Sequence, residues 1–202
     1  MKKDAESLFI LGDLFDFWWE YKTVIPKAGI KILFAMKDLI QYGIKVYYLP
    51  GNHDFSAKRL FEEIGVIVQE KLQISLNGKP VFLMHGDLLD NSFLTSLSRI
   101  AYRSFLSRSL FSLLHPNFAI PLARLCVGIS GGSGWVNHLE EKFKKFAEEK
   151  IGEGFYLVGL AHIHRPALEK IGNGYYLNTG DWLKNFSYGV LDSEEIRLAR
   201  WE

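Results

Sequence analysis

At 202 residues, the chain fits one domain or at most two small ones. Its 48% hydrophobic and 23% charged content match an ordinary globular protein with a sizeable core and exclude disorder or collagen-like structure. With 24 Lys and Arg against 23 Asp and Glu the formal net charge is +1, which excludes a broad field attracting nucleic acid, and the one cysteine, Cys126, excludes both an intrachain disulfide and a thiolate-built zinc site while fitting a reducing cytosol.

The start, Met1 to Glu6, has an acidic break and only a short apolar run follows it, so it is not expected to be a signal peptide. Ser7 to Leu11 reads as a short buried strand ending in Gly12-Asp13. From about Lys27 to Gln41, Ile30, Leu33, Phe34, Met36, Leu39 and Ile40 recur at helical spacing, and Lys45 to Leu49 is a second strand. Strand, helix and strand with short connections predict a βαβ unit with parallel strands. Both strands then end in polar tetrads, Gly12-Asp13-Leu14-Phe15 and Gly51-Asn52-His53-Asp54, on one carboxyl edge, where open α/β sheets bind ligands. A helix is expected from about Ala57 to Ile64. Leu72 to Leu76 and Pro80 to Met84 flank Asn77-Gly78, a strong hairpin signal, and the second of these strands runs into His85-Gly86-Asp87.

The stretch from about 91 to 150 reads as mostly helical. Its first part, residues 91 to 139, holds Arg99, Arg103, Arg108 and Arg124 and no acidic residue. Taking those four from the 24 basic residues leaves 20 against 23 acidic ones, so a basic, apolar insertion sits on a slightly acidic body. Its uncharged runs are broken by Pro116 and Pro121 or by glycines, short of the about 20 apolar residues a membrane span needs. A soluble or peripheral protein is therefore expected. Phe155 to Leu160 is a strand ending in Ala161-His162-Ile163-His164-Arg165-Pro166, and Tyr175 to Leu177, Tyr188 to Leu191 and Ile196 to Trp201 alternate like antiparallel strands. No internal repeat is present. The whole is expected to be one α/β domain over residues 1–202.

Four strand ends thus deliver Asp13, Asn52, His85, and the pair His162 and His164. Carboxylate oxygen, amide oxygen and neutral imidazole suit Mn²⁺, Fe²⁺ or Zn²⁺, and a set without thiolate favours Mn²⁺. A lone histidine is more often an ordinary polar or packing residue, but a chance gathering of ligand types at four strand ends is improbable. Gly128-Ile129-Ser130-Gly131-Gly132 matches a nucleophile-elbow pattern without the strand such an elbow requires. Phe15, Phe17, Trp18, Trp19 and Tyr21 form either a substrate rim or ordinary packing, with packing favoured because aromatics dominate cores.

Gly12-Asp13-Leu14-Phe15-Asp16, Gly51-Asn52-His53-Asp54, His85-Gly86-Asp87 and His162-Ile163-His164 resemble, in order, the motifs of the calcineurin-like metallophosphoesterases. The resemblance implies a layered β-sheet core with flanking helices and a helical insertion. It implies that Asp13 bridges two metals, that Asn52, His85 and His162 complete one site, that His164 serves the other, and that His53 assists the phosphoryl oxygen or the leaving group. By the same resemblance Asp16, Asp54 and Asp87 orient the ligands. Two cations about 3.5 to 4 Å apart would bind phosphate oxygens, lower the pKa of a bound water and stabilise an in-line displacement.

Two departures stand out. Ala161 replaces the usual glycine of the last motif, and the Asp-x-His expected on a strand before Asp13 is missing. Either the chain begins downstream of the natural start, which is the favoured expectation, or the second metal site is degenerate. Trp18 and Trp19 after Gly-Asp-Leu-Phe-Asp, the helical insertion, His-x-His-Arg-Pro and Asn178-Thr179-Gly180-Asp181-Trp182 resemble the UDP-2,3-diacylglucosamine pyrophosphatases of lipid A synthesis. That resemblance implies cleavage to lipid X and UMP, with Arg99, Arg103, Arg108, Arg124, Trp18 and Trp19 as candidate substrate contacts and a cytoplasmic location, peripheral on the inner face of the membrane. A soluble phosphodiesterase or phosphatase of the same fold, and a non-catalytic scaffold, remain the alternatives.

Overall fold

The computed structural model describes residues 5–91, 104–127, 133–193 and 195–202. These fall into two compact units, one made of the described residues of 1–69 and 90–130, the other of those of 70–89 and 131–202.

The first unit holds β1 (Ser7–Ile10), α1 (Ile30–Gln41), β2 (Lys45–Tyr48), α2 (Arg59–Glu63), β3 (Ile67–Val68), α3 (Phe105–Leu113) and α4 (Pro116–Val127). Its sheet has the order β1-β2-β3 and is parallel throughout, with Leu8 opposite Val46 and Tyr48 opposite Val68. The βαβ reading of the sequence is therefore borne out. No side chain caps the start of α1, so packing holds it: Leu33 and Met36 are buried with Phe15, Trp18, Val46, Tyr48 and Phe61. A second cluster joins Phe17 and Trp19 to Ala123 of α4, with Phe55, Phe111 and Ile120 packed around it.

In the second unit are β4 (Lys71–Leu76), β5 (Lys79–Met84), α5 (Ser133–Gly152), β6 (Leu157–Leu160), β7 (Ala167–Ile171), β8 (Gly174–Asn178), β9 (Ser187–Leu191) and β10 (Ile196–Arg200). The main sheet runs β4-β5-β6-β8-β7, with β5, β6 and β8 parallel and antiparallel strands at both edges, while β9 and β10 pair antiparallel. At the β4–β5 hairpin Asn77 and Gly78 have φ of 51° and 76°, the paired positive values a tight two-residue turn needs. Central β6 is buried at every position, as a strand covered on both faces should be.

Helix α5 places Leu139, Phe143 and Ala147, four residues apart, on one face against Phe82, Val158, Leu160 and Tyr176. Within the helical stretch that the sequence marks at about 91–150, α5 belongs to the core of the second unit, and α3 and α4 to the first. Composition hides this because the acid-free run continues into the first turns of α5. Two short strands also escaped the sequence reading. Strand β3 has two residues, and β7 is an edge strand whose Glu169 and Lys170 break the apolar pattern.

Candidate metal centre

Strands β1 and β2 end in register, Ile10 opposite Tyr48, so the loops bearing Asp13 and Asn52 leave the same edge of the sheet. One buried carboxylate ties those loops together. Asp54 Oδ1 accepts the backbone N–H of Asp13 at 3.2 Å and of Gly51 at 2.8 Å, and Oδ2 accepts that of Leu14 at 2.7 Å. Asp13 stands at φ 49°, a left-handed conformation costing on the order of 1–3 kcal/mol, and these bonds hold it there. Its Oδ1 accepts the His53 backbone N–H at 3.0 Å. A Cβ on Gly51 would lie 2.1 Å from that same oxygen, so this position has no room for a side chain.

His53 Nδ1 lies 2.9 Å from the Asp16 carbonyl. A carbonyl only accepts, so Nδ1 carries the proton, and Nε2 lies 3.9 Å from Asp13 Oδ2. Asp16 thus orients His53 through its backbone, its own side chain being exposed. Beneath this loop Tyr48 is fully buried; burial first, and then the charge of Asp54, push its phenol well above the ordinary value.

In the second unit β5 and β6 are parallel, Leu83 opposite Gly159, and the Ala161 N–H donates to the His85 carbonyl at 2.9 Å. His85 Nε2 and His162 Nδ1 then stand 3.2 Å apart, with ring planes at 75° and His85 only 2% exposed. Nitrogens that each sit about 2.1 Å from one cation at angles between square and tetrahedral are roughly 3.0–3.4 Å apart. The pair therefore fits two positions on a divalent ion. Gly86, at φ 113°, lies so close to Phe143 that a Cβ would meet the ring at 2.7 Å. His162 (φ 62°) and His164 (φ 55°) are both left-handed, at about 1–3 kcal/mol each. His164 is exposed, and Asp87 opens a short 3₁₀ turn, Asp87–Leu89.

The next residue, Arg165, donates to Glu140 of α5 at 2.8 Å. Lys144 bridges on from Glu140 (3.5 Å) to Glu169 (2.8 Å). The Arg165 hydrogen bond is the largest influence on Glu140 and holds its carboxyl below the ordinary value, against the effect of burial and with help from Lys144. On the parallel neighbour of β6, fully buried Asn178 ends β8 and donates to the Ala161 carbonyl at 2.9 Å. Asn185 donates to the His164 carbonyl at 3.3 Å. Sequence reasoning gave no role to Asn178, Asn185 or Glu140. The Asn178-Thr179-Gly180-Asp181 run, at the end of a strand parallel to β6, was a sequence signal for Asn178 alone.

Trp18 is 1% exposed, stacked on Phe15 with centroids 4.6 Å apart and edge-on to Phe61, and Trp19 is buried against Phe55 and Phe111. Both indoles are thus held by ring packing. Arg108 falls on α3 and Arg124 on α4, whereas Arg99, Arg103 and the Gly128–Gly132 pattern lie outside the described residues.

The family model for calcineurin-like phosphoesterases matches residues 2–125. The chain belongs to this family. Calcineurin-like phosphoesterases are metal-dependent, in keeping with the carboxylate and imidazole donors at these strand ends, and the chain is a hydrolase of phosphoester or phosphoanhydride bonds. It is 28% identical over 229 aligned positions to a UDP-2,3-diacylglucosamine hydrolase of Porphyromonas gingivalis, with 100% of this chain and 86% of that protein covered. A UDP-2,3-diacylglucosamine hydrolase of Haemophilus influenzae is 30% identical over 202 positions, 95% of this chain and 82% of the relative. A solved archaeal phosphodiesterase matches at TM-score 0.47 and 15% identity over 84% of this chain and 75% of its own.

Proposed function

We propose that this phosphoesterase cleaves the pyrophosphate of UDP-2,3-diacylglucosamine, giving UMP and the diacylated sugar phosphate lipid X of lipid A synthesis. The observation that carries the reading is the similarity, over 95% or more of the chain, to relatives bearing that substrate's name. In the reaction a water oxygen bonds to one phosphorus, the bridging P–O bond breaks, and the water gives up a proton. Asp13, Asn52, His85, His162 and His164 are the proposed metal ligands, and Mn²⁺ is the ion their oxygen and nitrogen donors favour. The metal supplies charge neutralisation at the phosphate and a water of lowered pKa. His53, its Nδ1 proton held by the Asp16 carbonyl, has Nε2 available to act on the phosphoryl oxygen or leaving group. Asp54 fixes the Asp13 loop, and Asp87 follows His85 and Gly86.

The first unit supports a lipid-linked substrate. Helices α3 and α4 turn Phe111, Ile120 and Ala123 inward, yet Leu110, Leu113, Leu114, Phe118 and Leu122 are exposed, Leu113 at 83% and Phe118 at 76%. An apolar outer surface in a stretch without acidic residues suits acyl chains or an anionic membrane face. Among the described residues no helix is long and apolar enough to cross a membrane. A peripheral place on the cytoplasmic face of the membrane follows from this proposal. Incubating the purified chain with Mn²⁺ and UDP-2,3-diacylglucosamine in detergent micelles, followed by ³¹P NMR, should show the pyrophosphate signals replaced by two monoester signals. His85→Ala should abolish the change. Turnover of a soluble aryl phosphodiester with none of the lipid substrate would overturn the substrate assignment.

A further inference from the structure

We propose that Asn178, Asp181 and Asn185 are positioning residues that hold the His162–His164 loop in its metal-binding conformation; the inference rests on the metal reading above. Two left-handed histidines within three residues form a strained segment, which persists only where its surroundings over-determine it. Side chains from outside the loop hold it at both of its ends. At the first, the Ala161 carbonyl accepts from Asn178 Nδ2 at 2.9 Å while Asn178 Oδ1 accepts the Gly180 N–H at 3.0 Å. At the other, the amide nitrogen of Asn185 donates one hydrogen to the His164 carbonyl and one to Asp181 Oδ2.

Asp181 is the anchor of that second clamp. Its Oδ1 accepts the backbone N–H of Leu183 at 2.8 Å, of Lys184 at 2.6 Å and of Asn185 at 3.3 Å. Burial alone would raise this carboxyl, and the hydrogen bonds from Lys184, Leu183 and Asn185 more than offset it, so the group sits below its ordinary value. A primary amide is the side-chain group suited to position 185, because it brings two hydrogens on one nitrogen to a carboxylate and a carbonyl together. The Asn178-Thr179-Gly180-Asp181 run thereby acquires a task. It shapes the neighbouring loop without itself supplying a ligand.

The test titrates the metal-free full chain with Mn²⁺ by calorimetry and with Co²⁺ by visible absorption, whose bands report ligand geometry. Asn185→Asp keeps the size of the side chain and removes both donors; Asn185→Ala removes the group. Each should weaken Mn²⁺ binding about 10–100-fold and shift the Co²⁺ bands, with a urea midpoint close to that of the wild type. Asn178→Ala should do the same, but it vacates a buried polar position, so the partly exposed Asn185 is the deciding site. Wild-type binding that His85→Ala abolishes, combined with unchanged affinity and spectrum in both Asn185 variants, would overturn this inference alone. Failure of the wild type to bind either ion would overturn the metal reading and this inference with it.

Discussion

A single hydrogen at Gly51 decides where the Asp13 carboxylate can stand. Because a Cβ there would lie 2.1 Å from Asp13 Oδ1 and 2.7 Å from the Asp13 backbone nitrogen, Gly51→Ala must push the two loops apart. The expected cost is about 1–3 kcal/mol of overpacking, read as a lowered urea midpoint, together with a loss of Mn²⁺ affinity seen by calorimetry. An alanine variant with wild-type affinity would show that Asp13 is not a ligand in this position. His53 makes a separate case. Its backbone, not its ring, meets Asp13 Oδ1, so His53→Ala should keep the metal content, measured by atomic absorption, while lowering turnover about 10²–10⁴-fold. The positions of the proposed ligands at strand ends were legible, since each follows an apolar strand in a short polar motif. Their conformations were not: nothing in His162-Ile163-His164 announces two positive φ values, because these are imposed by Asn178 and Asn185 from other elements.

Among the elements, α1, β1, β2 and the β4–β5 hairpin could be read directly because each carries its own periodicity or turn pair. Helix α5 could be read as a helix but not as a core element, since its partners Phe82, Val158 and Tyr176 are distant in sequence. Its tie to the histidine loop is equally non-local, through Glu140 and Arg165. That tie has a pH signature. The folded pKa of Glu140 is depressed below its ordinary 4.5, so its stabilising contribution is present above that value and lost as pH falls through the folded pKa. Urea unfolding should therefore separate wild type from Glu140→Gln by a constant margin near neutrality, and the margin should shrink as pH is lowered past 4.5. A margin that does not change with pH would mean that Arg165 contributes no charge-dependent stabilisation at this site. Lys144 behaves in the opposite sense. Its pKa is raised, first by the Glu169 hydrogen bond, so its contribution is present below the ordinary 10.5 and lost as pH rises above it.

At the scale of the whole molecule, composition revealed that one stretch lacks acidic residues, but not how that stretch is apportioned. The described residues of 91–150 divide between two units, and among them the exposed apolar side chains lie on and between α3 and α4. Those helices are apolar on the side that packs against Phe17, Trp19 and Phe55 and again on the side that does not, which a hydrophobic count cannot distinguish from a larger core. An outer surface carrying Leu113 and Phe118 costs nothing extra in the folded chain if it rests on lipid, where burying each such side chain contributes about 1.5–3 kcal/mol. Leu113→Asp combined with Phe118→Asp should accordingly weaken co-sedimentation with vesicles containing anionic phospholipid by at least about tenfold, since either side chain alone represents that much at the lower limit. The same change should raise KM for a diacylated substrate more than for a soluble aryl phosphodiester. Because the acid-free stretch adds an electrostatic share, binding of the wild type should also fall as salt is raised, while a residual apolar share persists at 1 M. Vesicle binding that ignores both substitutions, or that vanishes completely in high salt, would remove these helices from the lipid contact and leave the exposed leucines without a membrane role.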